Sequence, residues 1–436
     1  MKQNNIRHEG GGTTPIQGLK DHSDSDTDAR QPPLEFSTLQ NRNGDAAEDA
    51  TATFVAPTSR SNEEASEAGD SGKKKVLYPT NVTSPDNSDF NNKKLLLFQT
   101  FLYNTPAERE KLSNTVEFWD GIPRYSVTRR QQNTLRDGNT GTLPIFKMEF
   151  NFRRQPFVAE IRPAKITETG PDGKLRTIEY YPSNREEIIE EALRKIASRQ
   201  SYGFIRQFPE EASGVTFSLY ELRAELSKIG HTLSFQEIIQ SLYILNYSSI
   251  TIYKEGDERN AGIASPYMPV LVHVTRSQLD ADPSTKWIVH FHPFITKGII
   301  DLQYRQFNYE LTMSLSTQLC RWLHKYLCMK FTGAGFTSQV FEIHYKTIKR
   351  DSGLFKGKKE RNFYEDLTNA FDELKEKGVL TAWTKEVNLG SRGKVLDITY
   401  FLTASFEFIK EVKAANKRQA EVVAAALCKN PTHSRK

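Results

Sequence analysis

The chain has 436 residues, of which 26% are charged and 37% hydrophobic, and its formal net charge is +5. These values are typical of a globular protein; three cysteines exclude a disulfide framework, and no apolar run is long enough for a membrane helix. Residues 1–72 carry six Lys/Arg against thirteen Asp/Glu, so the rest of the chain is strongly basic and a polyanion is its first candidate partner.

The N-terminal quarter of the chain is predicted to lack a core of its own. Its first residues have no apolar signal segment, so we expect a cytoplasmic protein. Residues 1–75 are rich in Gly, Ser, Thr and acids and nearly devoid of aromatics, which predicts a disordered acidic tail. Residues 76–142 are predicted to form an extended linker or arm. Its apolar island, KKLLLFQTFLY, either docks on the folded body or binds a partner as a linear motif.

Residues 143–285 are predicted to form a first domain. Two alternating segments joined across Arg153–Arg154 predict a β-hairpin, and Ser183 is the expected N-cap of a helix. TFSLYELRAELSKIG and SFQEIIQSLYILN then predict two helices around a short turn, the second with the capping-box spacing of Ser234 and Glu237. Two strands follow. Helix, turn, helix, strand, loop and strand is the order of a winged helix.

Residues 286–412 repeat this order. LSTQLCRWLHKYLCMKF predicts a long amphipathic helix, YKTIKRDSGLF a short helix that ends at Gly353, and KKERNFYEDLTNAFDELKEKG a third helix that ends at Gly378. VLTAWTKEV and KVLDITYFL are predicted strands around the loop NLGSRG. The sequence therefore predicts an α+β fold of two tandem winged-helix domains behind the acidic tail, with a flexible C-terminal tail over residues 413–436.

A dense group of cations begins the third helix of the second domain. Seven Lys or Arg residues lie between positions 346 and 361, against two acids, although the helix dipole disfavours cations there. Phosphate groups of DNA would reverse that cost through counterion release, and the first residues of a recognition helix reach base edges. The predicted DNA-binding group, with its wing residues last, is Lys346, Lys349, Arg350, Lys356, Lys358, Lys359, Arg361, Asn362, Lys385, Arg392 and Lys394.

The first domain offers weaker candidates for DNA contact. Its second helix presents Gln236 and Gln240, and glutamine can pair bidentately with adenine. Acids at positions 257–258 in its wing would repel phosphate, so we expect either a weaker DNA contact or a protein–protein role. The segment PRYSVTRRQQNTLR adds further candidates for backbone contact, namely Arg124, Arg129, Arg130 and Arg136.

One arrangement suggests enzyme chemistry. His290 and His292 flank a single apolar residue on a predicted strand and could ligate a divalent metal beside a Tyr345 nucleophile, as in enzymes that nick DNA. Pro293 interrupts that strand, and Tyr345 belongs to the basic helix-turn-helix segment. We therefore expect a protein without catalytic residues, and a metal-dependent nicking initiator is the alternative.

No other motif predicts a cofactor or a metal. GLFKGKK lacks the glycine spacing and the Ser or Thr of a nucleotide-binding loop. Cys320, His324 and Cys328 recur on one face of an apolar helix, where they are more typical of core residues than of a zinc site.

Several of these segments resemble bacterial plasmid replication initiator proteins with tandem winged helices. They are SNTVEFWDGIPRYSVTRRQ, GHTLSFQEIIQSLYIL, YRQFNYELTMSLSTQLCRWLHK and YKTIKRDSGL, within a likeness that runs from about residue 94 to 420. The resemblance implies a protein that binds direct repeats of duplex DNA at an origin, helps to open the origin, and recruits host helicase and polymerase components. It also implies a monomer–dimer equilibrium and repression of the protein's own gene.

Residue roles also follow from the resemblance. The repeat-reading group becomes Lys349, Arg350, Lys358, Lys359, Arg361 and Asn362. Related initiators carry a peptide that binds the sliding clamp, and Leu95, Leu97 and Phe98 keep its apolar positions although its glutamine is missing. A transcriptional repressor with no replication role remains a further alternative, because one DNA-binding mode serves both functions.

Overall fold

The computed structural model describes much of the chain beyond residue 109. The described ranges are 110–169, 173–198, 203–206, 212–256, 262–274, 276–282, 285–355, 359–393 and 395–428. The predicted acidic tail and the peptide with Leu95, Leu97 and Phe98 lie outside them. Within these ranges the structure mixes helices with small antiparallel sheets, which confirms the α+β class. None of the described helices is both long and apolar enough to cross a membrane.

Residues 112–135 belong to the core, where an extended arm had been predicted. Strand β1 (Leu112–Val116) pairs antiparallel with β12 (Tyr304–Asn308), and helices α1 (Glu117–Gly121) and α2 (Arg129–Leu135) follow it. Trp119 in α1 is fully buried. A segment that buries a tryptophan and pairs a strand contributes to the fold, so the arm prediction is wrong for this stretch.

The first sheet has the order β2-β3-β8-β9. β2 (Phe146–Phe152) and β3 (Gln155–Arg162) form the predicted hairpin, and β8 (Ser249–Lys254) and β9 (Gly262–Pro266) extend it. Arg153–Arg154 forms the turn with φ angles of 49° and 65°. Two successive positive φ angles match the twist of a two-residue hairpin loop, although glycine or asparagine is more usual there.

Three helices precede strand β8. α3 (Asn184–Ala197), α4 (Leu219–Lys228) and α5 (Phe235–Tyr247) bury the apolar stripes expected from the sequence. The Ser234 backbone N–H donates to the Glu237 carboxylate at 2.9 Å, and the Glu237 N–H donates to the Ser234 hydroxyl at 3.2 Å. This reciprocal pair is the predicted capping box.

A separate two-stranded hairpin lies against α5. It consists of β4 (Ala164–Thr169) and β5 (Leu175–Tyr180). Ala164 and Ile166 form a small apolar cluster with Ile244 of α5. The hairpin therefore packs against the helix that the sequence assigned to a DNA-reading role.

A second sheet combines strands from before and after the first helix-turn-helix segment, in the order β10-β11-β7-β6. Its strands are β6 (Gly203–Arg206), β7 (Ala212–Phe217), β10 (Leu271–Val272) and β11 (Trp287–His290). Helix α6 (Arg276–Ala281) precedes β11, and α7 (Pro293–Ile300) follows it.

The C-terminal half repeats the predicted order of elements. They are α8 (Tyr309–Met313), α9 (Gln318–Lys330), β13 (Val340–His344), α10 (Tyr345–Ser352), α11 (Glu360–Glu376), β14 (Leu380–Leu389), a 3-10 helix (Ser391–Gly393) and β15 (Val395–Ala404). The sheet order is β13-β15-β14. Gly353 and Gly378 follow α10 and α11 with φ angles of 64° and 73°, so both end as predicted, on a glycine that accepts the left-handed conformation.

The chain continues as helix α12 (Phe406–Cys428) where a flexible tail had been predicted from residue 413. Arg305 donates to the Asn416 side chain at 2.5 Å, and the Asn416 amide donates to the Thr332 carbonyl at 2.8 Å. Val412 is buried. These contacts attach the middle of α12 to the folded body, so residues 413–428 are helical.

Candidate nucleic-acid interface

The first turns of α10 and α11 lie at the same end of the domain as the outer half of the β14–β15 hairpin. The backbone N–H of Lys346, near the start of α10, donates to the Asp397 carboxylate of β15 at 3.2 Å. Farther back, the Trp383 indole of β14 donates to Asp372, late in α11, at 2.9 Å. The start of β14 therefore lies near the C-terminal part of α11, and the turn end of the hairpin lies near the N-terminus of α10.

The apolar stripe of α11 decides which side chains face outward. Phe363, Leu367, Ala370, Phe371 and Leu374 are buried. A helix with this periodicity leaves its remaining positions toward solvent. The exposed residues at its start are Lys359, Glu360, Arg361 and Asn362.

The cations at this end differ in how they are used. Lys346, Lys359, Arg361 and Lys385 are exposed, and within the described ranges none of them forms an ion pair. Lys349 contacts Glu360 at 3.2 Å. Exposed pairs of this kind contribute about 0–1 kcal/mol, so such a lysine can exchange its carboxylate for a phosphate.

Arg350 and Arg392 are the other two predicted DNA-binding cations of the second domain that lie within the described ranges. Arg350 contacts the carboxylate of its neighbour Asp351 at 2.5 Å. The backbone of Arg392 belongs to the 3-10 helix that connects β14 to β15. Lys356, Lys358 and Lys394 lie outside the described residues.

The side chain of Gln240 in the first domain, which is predicted to reach a base edge, hydrogen-bonds within the protein. Its side-chain amide donates to Glu168 of β4, and its amide oxygen accepts from Arg185. The β4–β5 hairpin packs against α5 and supplies one of these partners. Gln236, one turn earlier on α5, is exposed and remains a candidate.

The arginines before residue 143 also have internal partners. Arg124 is buried and contacts Asp120 at 3.2 Å and Glu190 at 3.1 Å. Arg129 contacts Glu186 at 2.8 Å and lies 4.6 Å from the centre of the Tyr180 ring. These two side chains hold the N-terminal segment onto α3 and its surroundings, which leaves little of either for DNA.

Two further arginines of this segment differ from each other. Arg136 donates to the Gly141 and Glu179 carbonyls, both at 2.7 Å. Arg130 is exposed. Of the four arginines in the segment, Arg130 is therefore the one whose side chain is best placed to reach a phosphate.

Two residues of the nicking alternative, His292 and Tyr345, are buried on separate elements, and His290 at the end of β11 is half-buried. His292 stacks on Trp119 with 4.1 Å between ring centres, and its Nδ1 accepts the Phe294 N–H. Burial lowers the pKa of His292 well below its usual value and raises that of Tyr345. A buried phenol that resists ionisation is a poor nucleophile. In the described part of the chain, no group of three or more His, Cys, Asp or Glu side chains could hold a metal.

The predicted core role of the Cys320, His324 and Cys328 face is confirmed, since all three are buried. The sequence analysis missed a different feature, the exposed apolar side chains at the outer end of the β14–β15 hairpin. They are Val387, Leu389, Val395 and Leu396. Its sequence signal is the set of four apolar residues around a glycine-rich turn.

Comparison with known proteins gives distant structural likenesses only. No protein-family profile and no curated protein sequence matches the chain. A crystal structure of domains 2 and 3 of RctB matches with 13% identity and a TM-score of 0.38, covering 65% of this chain and 98% of that one. A second structure of RctB domains 2–3 matches with 11% identity and a TM-score of 0.37, covering 64% and 97%. The Pi initiator protein in complex with iteron DNA matches with 13% identity and a TM-score of 0.34, covering 51% and 96%.

One of these solved structures is of an initiator protein. At these scores the likeness transfers no residue role and no ligand. The functional argument rests on this chain's own side chains.

Proposed function

We propose that both helix-turn-helix segments, each with its β-hairpin, are winged helices, and that the second one grips duplex DNA. One observation carries the proposal. At one end of the second unit (residues 286–412; residues 143–285 are the first unit) lie four exposed cations without a carboxylate partner among the described residues. They are Lys346, Lys359, Arg361 and Lys385. This end combines the first turn of a solvent-facing helix with a protruding hairpin, and the repeating charge of a DNA backbone complements it.

Within this surface, different side chains suit different parts of the duplex. Lysines act as point charges for phosphate, whereas arginine can pair bidentately with guanine and asparagine with adenine. We assign backbone contact to Lys346, Lys359 and Lys385. Arg361 and Asn362, in the first turn of α11, are the candidates for base contact.

The biological role that we propose is initiation of replication at an origin with direct repeats. The support is the set of segments that resemble plasmid initiators, joined to a cationic end on the second unit. In this proposal the protein works in the cytoplasm, opens the origin, recruits host helicase and represses its own gene as a dimer. Leu95, Leu97 and Phe98 remain the proposed contact to the sliding clamp.

The first unit has a different proposed task. The β4–β5 hairpin packs on α5, and Gln240 is held by Glu168 and Arg185. Because the β4–β5 hairpin covers part of α5, the full length of this helix cannot enter a DNA groove. We therefore assign the first unit mainly to protein–protein contact, with Gln236 and Arg130 as auxiliary DNA contacts.

Selection from a randomised duplex library, followed by a replication assay, tests this proposal. The protein should enrich a defined sequence, and DNA flanking its gene should contain that sequence as direct repeats. A plasmid without its own origin should then replicate when it carries the gene and these repeats. Enrichment without replication would leave a repressor and overturn initiation. Failure to enrich any duplex would overturn sequence-specific DNA binding itself.

A further inference from the structure

The outer end of the β14–β15 hairpin exposes an apolar surface that folding does not require. The exposed fractions are 44% for Val387, 61% for Leu389, 41% for Val395 and 53% for Leu396. β14 is also an edge strand of its sheet. Proteins usually protect such edges with charged residues, and a cluster of exposed apolar side chains commonly marks a binding surface.

The register of the hairpin shows which face of the sheet carries the apolar side chains of β14. Lys385, Val387 and Leu389 alternate along β14 and so share one face. Lys385 lies opposite Tyr400 and Val387 opposite Ile398, and both of those partners are buried. Residues directly opposite each other point to the same side of a sheet. The apolar face is thus a continuation, toward the turn of the hairpin, of the face that packs on α11, and its side chains are exposed there.

The turn of the hairpin is narrow because of a glycine. A Cβ placed on Gly390 would lie 2.8 Å from Cγ of Leu396, closer than real Cβ contacts. The leucine therefore lies directly over the glycine backbone. The pairing of Leu389 with Val395 is shifted relative to that of Asn388 with Asp397. The result is a narrow turn whose two strands both carry exposed apolar side chains.

We propose that this end is a wedge that enters the minor groove of duplex DNA and partly unstacks a base step. The inference rests on the proposed function and specifies how it deforms its DNA. Apolar wedges flanked by cations bend DNA in this way. Charge complementarity selects the occupant: Lys385 shares the wedge face, and Lys346 lies at the same end. A second copy of the chain docked there would bring like charges together.

The test uses duplexes that the wild-type protein selects from a randomised library. Energy transfer between dyes on the duplex ends reports bending, and a fluorescent adenine analogue reports unstacking. The variant is Leu389→Ser. Its matched control is Leu175→Ser, a leucine 74% exposed on the β4–β5 hairpin. Circular dichroism checks that both variants are folded, and sedimentation reports their oligomeric state.

The wedge predicts that Leu389→Ser loses bending and unstacking and binds about tenfold more weakly, the equivalent of one buried leucine side chain. Its dependence of affinity on salt should match the wild type, because the phosphate contacts remain. Leu175→Ser should bend DNA like the wild type. Unchanged bending and affinity in Leu389→Ser overturn the wedge alone. A changed oligomeric state with unchanged bending overturns it in favour of a second copy. A wild-type protein that binds no duplex overturns the proposed function, and the wedge with it.

Discussion

Arg194 binds the Asp120 carboxylate through a bidentate pair of hydrogen bonds: Nη1 donates to Oδ1 and Nη2 to Oδ2, each at 2.8 Å. Both side chains are buried. Asp120 also accepts the Val116 N–H at 2.7 Å. The pair attaches the segment before residue 143 to α3, and Lys325 of α9 extends the contact to the second unit through Glu191 at 2.5 Å.

Removing one partner of this pair should be costly. We expect Asp120→Ala to lower the free energy of unfolding by about 3–5 kcal/mol, because it leaves a buried guanidinium without its carboxylate. Urea denaturation measures the loss. Glu421→Ala, which removes an exposed partner of Lys417, should change stability by no more than about 1 kcal/mol. Similar small losses in the two variants would contradict the assigned role.

Stability should fall with acidification because of a buried histidine. Burial, aided by Lys325, lowers the pKa of His324 to about 4. The unfolded chain therefore binds the proton more tightly, so the contribution is intact above pH 6.5 and is lost as pH falls toward 4. The loss amounts to about 3 kcal/mol. Chemical denaturation across this pH range should show a shallower dependence in His324→Gln, and an unchanged slope would contradict the assignment.

The turn between α10 and α11 should tolerate no side chain. Gly353 has a φ angle of 64°, and an added Cβ would lie 2.7 Å from Cβ of Pro123. Gly378 also has a positive φ, but an added Cβ meets nothing within 4 Å. Gly378→Ala should cost about 1–2 kcal/mol for its backbone conformation alone, and Gly353→Ala about 1–3 kcal/mol more.

Thermal denaturation of the two variants gives the comparison. Equal losses would mean that the turn does not press on the N-terminal segment. A larger loss of stability in Gly353→Ala would show that both the positive φ angle and the close packing on Pro123 exclude a side chain at this position.

Local signals in the sequence predicted where helices begin and end. The partners of charged side chains depend on residues far away in the chain and could not be predicted. Gly353, Gly378 and the Ser234–Glu237 box acted within a few residues, so their effects could be predicted. Arg124 could not be placed from its near neighbour Asp120 alone, because its other carboxylate partner, Glu190, is 66 residues away. An arginine that will meet a carboxylate and one that will meet a phosphate look alike in a sequence.

The same reasoning applies to the interface. Periodicity of α11 predicted that Lys359 and Arg361 face outward. The hairpin packed on α5 had no sequence signal that linked it to Gln240, so that residue's internal partners were not foreseen. The apolar hairpin end is a third case, since exposure of Leu389 depends on how far the strand extends beyond the helices.

The salt dependence of DNA binding tests the central claim most directly. With the three proposed phosphate contacts of Lys346, Lys359 and Lys385, the logarithm of the binding constant should fall against the logarithm of salt concentration with a slope of about −3. Lys359→Ala/Lys385→Ala removes two of these contacts and should reduce the steepness by about two. The control Lys375→Ala/Lys377→Ala removes two exposed lysines at the opposite end of α11 and should keep the wild-type slope. Equal slopes in all three proteins would contradict the account.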